Sequence, residues 1–229
     1  GSGNGALVRV SGVLTSEIIR SSVGDSAGPD LRVMEGASLA GGLVILDSTN
    51  ATSLDPAARI LGTNIGLSSR RISISLNNPG ILAKDSGLVL SGSALDSMQA
   101  TAKGLALLSY TSIDIYGQGS VGTNGFDSLS LQTPTIRGFN TAGGSVSFAA
   151  RNLNLDNVTG REAAASVGSP LNGVINFTGD EIILGANSLR VDGFAGGALT
   201  AGRRLLVNET GGFSTAGALS LITPLITGE

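Results

Sequence analysis

The sequence contains neither cysteine nor histidine. Without cysteine there are no disulfides, thiolate metal sites or cysteine nucleophiles, and without histidine the usual general base and the commonest metal ligand are missing. Catalytic systems in which histidine activates a serine or cysteine are therefore excluded. The lack of thiols also suits a long exported chain, which could otherwise become cross-linked before it folds, so it does not indicate a cytosolic protein.

Aromatic residues and long apolar runs are also scarce. The 229 residues include no tryptophan, 6 phenylalanines and 2 tyrosines, although 41% of the residues are hydrophobic and 35 are glycine. This composition favours many short strands joined by tight turns. No apolar run approaches the ~18 residues of a membrane span, and the beginning of the chain does not resemble a signal peptide.

The charge balance gives no reason to expect a nucleic-acid or anionic-membrane partner. The net charge is −3 and the isoelectric point is about 5.0, and the basic residues are scattered rather than clustered. The phosphate-binding pattern GxxxxGK[ST] and the calcium-binding nonapeptide GGxGxD are both absent. The sequence therefore predicts no cofactor, no metal site and no nucleic-acid partner.

A degenerate repeat is the main feature that is present. Five stretches carry apolar residues at relative positions 1, 3, 8 and usually 10, and a sixth, ALTAGRRLLV (198–207), is a weaker copy. Alternation within each pair of positions indicates two short strands, and the four residues between the pairs indicate a corner. The five are ALLSYTSIDI (106–115), LSLQTPTIRG (129–138), VSFAARNLNL (146–155), INFTGDEIIL (175–184) and LSLITPLITG (219–228).

The repeat predicts an all-β fold, a single-stranded parallel β-helix (a solenoid) of about ten coils of roughly 22 residues each. The octapeptides LQTPTIRG (131–138) and LITPLITG (221–228) are interpreted as the same corner, four coils apart. The structural alternative is a β-sandwich of short hairpins, for which more aromatic residues and more closely spaced turns are expected.

The domain organisation is predicted as follows. Residues 1–3, Gly-Ser-Gly, are interpreted as a cloning remnant, and residues 4–229 as one segment cut from a longer protein. Two stretches that do not fit the repeat, 96–104 and 157–170, are predicted to be loops that protrude from the coils. Both are interpreted as surface insertions, although loops on a rigid scaffold are also where binding tends to occur.

Carboxylates are the remaining candidates for chemistry. Asp114 and Asp156 each follow a core position and are predicted to point outward, while Asp180 and Glu181 are predicted to lie at a corner. Glycoside cleavage needs two carboxylates at ~5–9.5 Å in one groove. We interpret the four as members of a solvated outer face and assign no catalytic residue.

Two pairs of adjacent arginines are candidate anion sites. Arg70–Arg71 and Arg203–Arg204 are neighbours within predicted strands. Consecutive side chains of a strand point to opposite faces, so each pair is predicted to splay apart. They are interpreted as surface or corner residues rather than as an anion clamp.

The remaining residues considered for a structural or binding role are asparagines and tyrosines. Asn152, Asn154 and Asn176 are predicted to form side-chain hydrogen bonds between coils, which is a structural role. Sugar-binding sites often use exposed aromatic rings, and only Tyr110 and Tyr116 could supply a tyrosine ring.

Three features of the sequence bear on its family: the degenerate units LSLQTPTIRG, VSFAARNLNL and LSLITPLITG, the richness in serine, threonine, asparagine, glycine and leucine, and the lack of cysteine. In these features the sequence resembles the large exoproteins of the filamentous haemagglutinin type. The resemblance implies a right-handed β-helix, export by the two-partner route of Gram-negative bacteria through an outer-membrane partner, and a role in adhesion or biofilm. NNPGIL (77–82) does not match the NPNG-like signature of that family's secretion domain, so a position downstream of that domain is expected.

The resulting functional hypothesis is a non-enzymatic adhesive segment, secreted or displayed on the bacterial cell surface, that presents loops to a glycan or cell-surface receptor. One alternative is a carbohydrate-active enzyme, either a lyase or a hydrolase, which would need clustered carboxylates or arginines in a groove. Another is a fibre module that associates end to end, because the terminal edges of a stack of strands can pair with another copy.

Overall fold

The computed structural model describes residues 2–13, 18–25, 28–55, 57–77, 87–139, 143–168, 171–208 and 211–228. Most of NNPGIL, two residues of the 157–170 stretch, the first residue of the predicted remnant and the last residue of the chain therefore lie outside the described residues.

Eighteen strands and one helix are found in the described part. They are β1 (Ala6–Ser11), β2 (Leu31–Val33), β3 (Ser38–Ser48), β4 (Thr52–Leu54), β5 (Arg59–Leu76), β6 (Leu88–Ser91), α1 (Gly92–Thr101), β7 (Gly104–Gly117), β8 (Gly119–Gly122), β9 (Ser128–Gln132), β10 (Thr135–Phe139), β11 (Ser145–Ala149), β12 (Asn152–Asp156), β13 (Val174–Leu184), β14 (Leu189–Asp192), β15 (Gly196–Val207), β16 (Phe213–Thr215), β17 (Ala218–Ile222) and β18 (Ile226–Gly228).

Sixteen of these strands form one mixed sheet, and β2 and β4 form a separate parallel pair. β1 pairs with β3 in antiparallel orientation. The other pairings of the large sheet, within the described residues, are parallel. The strands β5, β7, β13 and β15 are long, and each changes neighbours along its length. They therefore link stretches of the sheet that face different directions.

Among the described residues, three runs of parallel pairing each extend over more than two strands. Ladder I consists of β8, β11, the first half of β13 and of β15, and β17. Ladder II consists of the second half of β3, the middle of β5, the first part of β7, then β9, β12, the second half of β13 and of β15, and β18. Ladder III consists of β6, the end of β5 and of β7, β10, β14 and β16.

The core between the ladders is aliphatic and is built from alternate residues of each strand. On ladder II, Leu107, Leu129 and Leu153 are fully buried, as are Ile72 and Ile113 on ladder III. Side chains alternate between the two faces of a strand, so each strand supplies the core from every second position. Burying one such side chain stabilises the fold by about 1.5–3 kcal/mol.

The apolar positions of the repeat face one another in the sheet. Val146 lies opposite Ile175, and Leu153 lies opposite Ile182. In the weaker copy (198–207), the first strand is displaced by one residue from the prediction. Leu199, rather than the predicted Ala198, enters the core and lies opposite Phe177. The pattern therefore encodes which residues pair in parallel.

The predicted single-stranded right-handed parallel β-helix of about ten coils is wrong. The sheet is mixed, its first strand runs antiparallel, a helix interrupts the strands, and β2 and β4 form a second sheet. The spacing is also uneven: Asn64 of β5 lies opposite Gly104 of β7, 40 positions later, whereas Leu129 and Leu153 are 24 apart. Apolar alternation specifies buried strand faces, but it does not specify how the strands are connected.

The two Thr-Pro octapeptides have the same local structure but occupy different corners. In each, the threonine hydroxyl donates to the carbonyl two residues later, over 3.1 Å at Thr133 and 3.0 Å at Thr223, and accepts from the amide of that same residue. The first octapeptide joins ladder II to ladder III, whereas the second joins ladder I to ladder II. Their likeness therefore reflects a shared turn, and the interpretation as one corner was wrong.

The stretch 96–104 is not a protruding loop. Residues up to 101 belong to α1, and residue 104 begins β7. Ala94, Leu95 and Met98 lie on one face of α1 and are buried against the core. The helix also contacts its surroundings through Gln99, whose Oε1 accepts a hydrogen bond from the amide of Gly122 at 2.8 Å. Within the described residues, no helix is long and apolar enough to cross a membrane.

Candidate functional site

A groove lies on the outer side of ladder II, opposite the core. Its floor consists of small residues that alternate with core leucines: Gly66 on β5, Gly104 and Ala106 on β7, and Ser128 and Ser130 on β9. Larger side chains at these positions would fill the space, so their small size creates a cavity of about 360 Å³. We call this cavity and its walls the ladder II groove.

The walls of the ladder II groove are apolar. Leu43 and Ile45 of β3 and Leu108 of β7 point away from the core yet are 7%, 5% and 5% exposed. Ile18, from the segment before β2, and Ile183 of β13 also line the cavity. Apolar side chains in such positions can contact the non-polar faces of a ligand.

Amide side chains form the polar part of the groove. Asn154 Nδ2 donates to Ser130 Oγ at 3.2 Å, and Gln132 Nε2 donates to the same oxygen at 3.1 Å. Asn152 Nδ2 donates to the carbonyl of Asp127 at 3.0 Å. The predicted side-chain hydrogen bond between strands is thus confirmed for Asn154, whereas Asn152 bonds to the backbone of the residue that precedes β9. Asn176 lies on ladder I and forms no side-chain hydrogen bond within the described part of the chain.

Gly104 leaves space on the groove floor for two polar side chains. A Cβ atom at this position would clash with Asn64 Oδ1 and would lie 2.9 Å from Ser128 Oγ. A larger residue would therefore displace the side chains of Asn64 and Ser128. The groove residues were missed in the sequence, and the available signal was the series of glycine, alanine and serine at outward strand positions.

The four predicted carboxylates do not converge. Asp114 is on ladder III, opposite Arg137. Glu181 is on ladder II, opposite Asn152, while Asp156 lies four residues beyond Asn152, about 13 Å along the strand. Asp180 is exposed at a register shift. The separation of Asp156 and Glu181 exceeds that of a glycosidase pair, and no three acidic side chains among the described residues form a metal-binding group.

Asp114 is buried, whereas it was predicted to belong to a solvated outer face. Its side chain does point away from the core, but it is only 1% exposed. Arg137 donates to both carboxylate oxygens at 2.7 Å, and Arg71 Nε lies 3.5 Å from Oδ2. Glu181 is similarly held by Arg204 Nε at 2.5 Å, and this hydrogen bond lowers the pKa of Glu181 below its ordinary value.

The arginine pairs do not splay to opposite faces as predicted. The pairing of β5 with β7 shifts register between Ser69 and Arg71, so Arg70 and Arg71 line one cavity. The pairing of β13 with β15 shifts register before Glu181, and Arg203 and Arg204 both reach that carboxylate, at 3.9 and 2.5 Å. Such shifts break strict alternation, which is why the predicted orientation of the arginine side chains was wrong.

Neither tyrosine offers an exposed ring for sugar stacking. Tyr110 is 2% exposed and lines a separate cavity of about 440 Å³, and its hydroxyl has no hydrogen-bond partner among the described residues. Burial and the nearby carboxylate of Asp47 raise the pKa of Tyr110 to about 12. Tyr116 is 5% exposed and stacks on Phe139 with ring centroids 5.1 Å apart.

Residues 157–168 form a strap that lies against ladder III, so the described part of the predicted 157–170 protrusion does not project freely. The amide of Ala164 donates to Thr135 Oγ1 at 2.8 Å, and the amide of Val167 donates to Asp192 Oδ2 at 3.0 Å. Arg161 Nη2 donates to the carbonyl of Val23 at 2.7 Å. We call residues 157–168 the strap.

The attachment of the strap is expected to depend on pH through Asp192. Burial alone would raise the pKa of Asp192, but hydrogen bonds from Ser166 and from the amides of Val167 and Gly193, together with the charge of Arg190, lower it below its ordinary value. The charged carboxylate therefore contributes stability that is fully present above the unfolded pKa of about 3.9 and is lost as the pH falls through the folded pKa.

We accordingly expect the free energy of unfolding to decrease below about pH 4, in part through this group. The variant Asp192→Asn should be less stable at neutral pH and should lose less stability on acidification. Urea unfolding of both proteins across the acidic range measures this difference. Parallel curves for the two proteins would show that Asp192 does not hold the strap through its charge.

Comparison of the chain with protein-family models, with characterised proteins and with solved structures finds no match.

Proposed function

We propose that the chain is a non-enzymatic binding segment of a secreted or surface-displayed bacterial exoprotein, and that the ladder II groove binds a neutral glycan. The observation that carries this proposal is the lining of the groove. Amides, hydroxyls and apolar side chains line it, and no charged side chain is found among its described lining residues. Such a surface suits a ligand with many hydroxyl groups and no charge.

The spacing of the polar groups favours a repeating ligand. Asn64 and Ser68 project from β5, Ser128 and Ser130 from β9, and the amides of β12 follow on the next strand. Neighbouring strands are ~4.8 Å apart, so donors and acceptors recur across the groove. Hydroxyls and amides both donate and accept hydrogen bonds, as sugar hydroxyls do.

The positions of the carboxylates support binding without cleavage. Asp114 and Glu181 are engaged by arginines on different ladders, and neither lines the groove. A glycoside hydrolase would need two carboxylates on opposite sides of one bond. The described lining of the groove therefore contains no pair of carboxylates that could act as the catalytic groups of a glycoside hydrolase.

The cellular location is proposed from sequence features. The lack of cysteine is consistent with export, and the repeated units resemble exoproteins of the filamentous haemagglutinin type. On this proposal an outer-membrane protein exports the parent chain, and a glycan of a cell surface is the ligand.

The experiment is a comparison of two phenylalanine substitutions. Ala106→Phe places a ring on the groove floor, whereas Ala198→Phe places one on the outer side of ladder I. Both alanines are partly exposed. For a neutral polysaccharide selected from a panel, Ala106→Phe should lower affinity at least about tenfold, because the ring displaces the ligand from several hydrogen bonds. Ala198→Phe should bind like the wild-type chain, and equal loss in both variants would refute the groove as the site.

Self-association remains a second prediction, favoured by one observation. Among the described residues, β17 and β18 each pair only with β15, and they carry exposed apolar residues including Leu221 at 49% and Ile226 at 56%. Such an edge can pair with a strand of another copy. Sedimentation mass as a function of protein concentration separates this alternative from binding in the groove.

A further inference from the structure

A second cavity, of about 420 Å³, lies beneath the strap at the turn where β7 passes from ladder II to ladder III. Arg70 and Arg71 of β5, Arg137 of β10 and Ser112 of β7 line it, and Ala164 of the strap covers one side. Its volume is at the lower end of the range for small-ligand pockets. We call it the arginine cavity.

Three guanidinium groups line the arginine cavity. Among the described residues, Asp114 is the carboxylate that contacts Arg71 and Arg137. Arg137 donates to both oxygens of Asp114, and Arg71 approaches one of them. Arg70 donates to a backbone carbonyl, that of Asp25, at 3.2 Å, and this bond does not neutralise its charge.

The other nearby carboxylates have partners of their own. Asp192 accepts hydrogen bonds from the amides of Val167 and Gly193, at 3.0 and 2.8 Å. The side chain of Asp25 is 77% exposed and pairs with Arg161 at 3.1 Å. Glu162 of the strap is exposed to solvent. Among the described residues, the charge of Arg70 is therefore not paired with a carboxylate.

A buried hydroxyl is also left without a partner at this cavity. Ser112 is 0% exposed, and its Oγ has no hydrogen-bond partner among the described residues. Its backbone groups are both engaged by the hydroxyl of Ser109, at 2.7 and 3.0 Å. A buried hydroxyl without a partner is unfavourable, and an acceptor held in the cavity would satisfy it.

The register shift explains how these donors come together. In a regular strand Arg70 and Arg71 would point to opposite faces. Because β5 and β7 lose register between Ser69 and Arg71, both arginines line the same cavity. Guanidinium groups match the oxygens of carboxylates, phosphates and sulfates in geometry and charge.

We propose that the arginine cavity binds an oxyanion, held by Arg70 and the hydroxyl of Ser112. This site is separate from the ladder II groove, whose described lining residues carry no charge, so the two proposals can fail independently. The oxyanion can be inorganic sulfate or phosphate, or the carboxylate of an acidic sugar.

The test is calorimetric titration of the whole chain with sodium sulfate, sodium phosphate and sodium glucuronate, at constant ionic strength set with sodium chloride. Saturable binding at one site is expected for at least one of them. Equal or tighter binding of the inorganic ions assigns the site to a free oxyanion, and tighter binding of glucuronate assigns it to an acidic sugar. Heat changes no larger than those with chloride alone would overturn the proposal.

Three variants locate the site. Arg70→Gln should lower the affinity about tenfold or more, because it removes charged hydrogen bonds. Ser112→Ala should lower the affinity about threefold to tenfold and leave the folded state intact, because the hydroxyl has no hydrogen-bond partner among the described residues. Arg203→Gln removes the same charge at a side chain that is 68% exposed and should bind like the wild-type chain. Equal weakening in Arg203→Gln and Arg70→Gln would overturn the proposal, because it would indicate only general attraction by surface charge.

Discussion

The variant Arg137→Met is expected to lower the free energy of unfolding by about 3–5 kcal/mol. Arg137 supplies both short hydrogen bonds to Asp114, whose side chain is 1% exposed. Without it, Arg71 at 3.5 Å is the remaining cation close to that carboxylate among the described residues. A buried charge that loses its partner destabilises the folded state strongly, because it keeps its desolvation cost without the compensating interaction. Urea unfolding at neutral pH measures the loss.

Two controls separate this effect from the loss of packing. The double variant Arg137→Met with Asp114→Asn should recover most of the stability, because the buried charge is removed together with its partner. Arg151→Met breaks the pair with Asp127, in which the side chains are 61% and 59% exposed, and should change the stability by less than about 1 kcal/mol. A loss for Arg137→Met no larger than that for Arg151→Met would contradict the account of the buried pair.

The variant Phe177→Ala is expected to cost about 3–5 kcal/mol. Phe177 is 1% exposed and stacks on Phe148 of the neighbouring strand with ring centroids 5.7 Å apart. It also contacts the edge of Phe213 at 6.0 Å. Removing the ring leaves a cavity between ladders and deprives two other aromatic residues of their contacts. The free energy of unfolding again provides the measurement.

Phe139→Ala is the matched control, because Phe139 is only partly buried and stacks on Tyr116 at the outer side of ladder III. It should destabilise the chain less than Phe177→Ala does. Phe177→Leu, which retains an apolar side chain in the core, should also cost less. Equal losses for Phe139→Ala and Phe177→Ala would contradict the assignment of the core.

The parallel strand pairing within the repeat was predictable from the sequence, and the connections were not. Leu153 and Ile182 occupy the same position of the repeat and lie opposite each other, because alternating apolar residues need a common buried face. Nothing in that alternation indicates that β1 runs antiparallel or that β6 pairs with β5. The helix was missed because its three buried residues, Ala94, Leu95 and Met98, occupy a short stretch with little helical pattern.

The binding sites could be predicted only in part. Asn154 was assigned correctly to a hydrogen bond between strands, but the groove depends on Gly104 and Ala106, whose small size matters only once the neighbours are known. Asp114 was correctly placed outside the core and wrongly expected to be solvated. Its burial depends on contacts distant in sequence, and the sequence does not reveal that the strap folds back on ladder III.

The measurement that tests the central claim most directly is equilibrium binding of the wild-type chain to a panel of neutral polysaccharides, with the chain length of each polysaccharide determined before and after incubation. Binding in the ladder II groove without catalysis predicts saturable binding of at least one member, recovered at unchanged length. Shortened polysaccharide would contradict the non-enzymatic account, and the absence of saturable binding to every member would contradict the assignment of the groove to a neutral glycan.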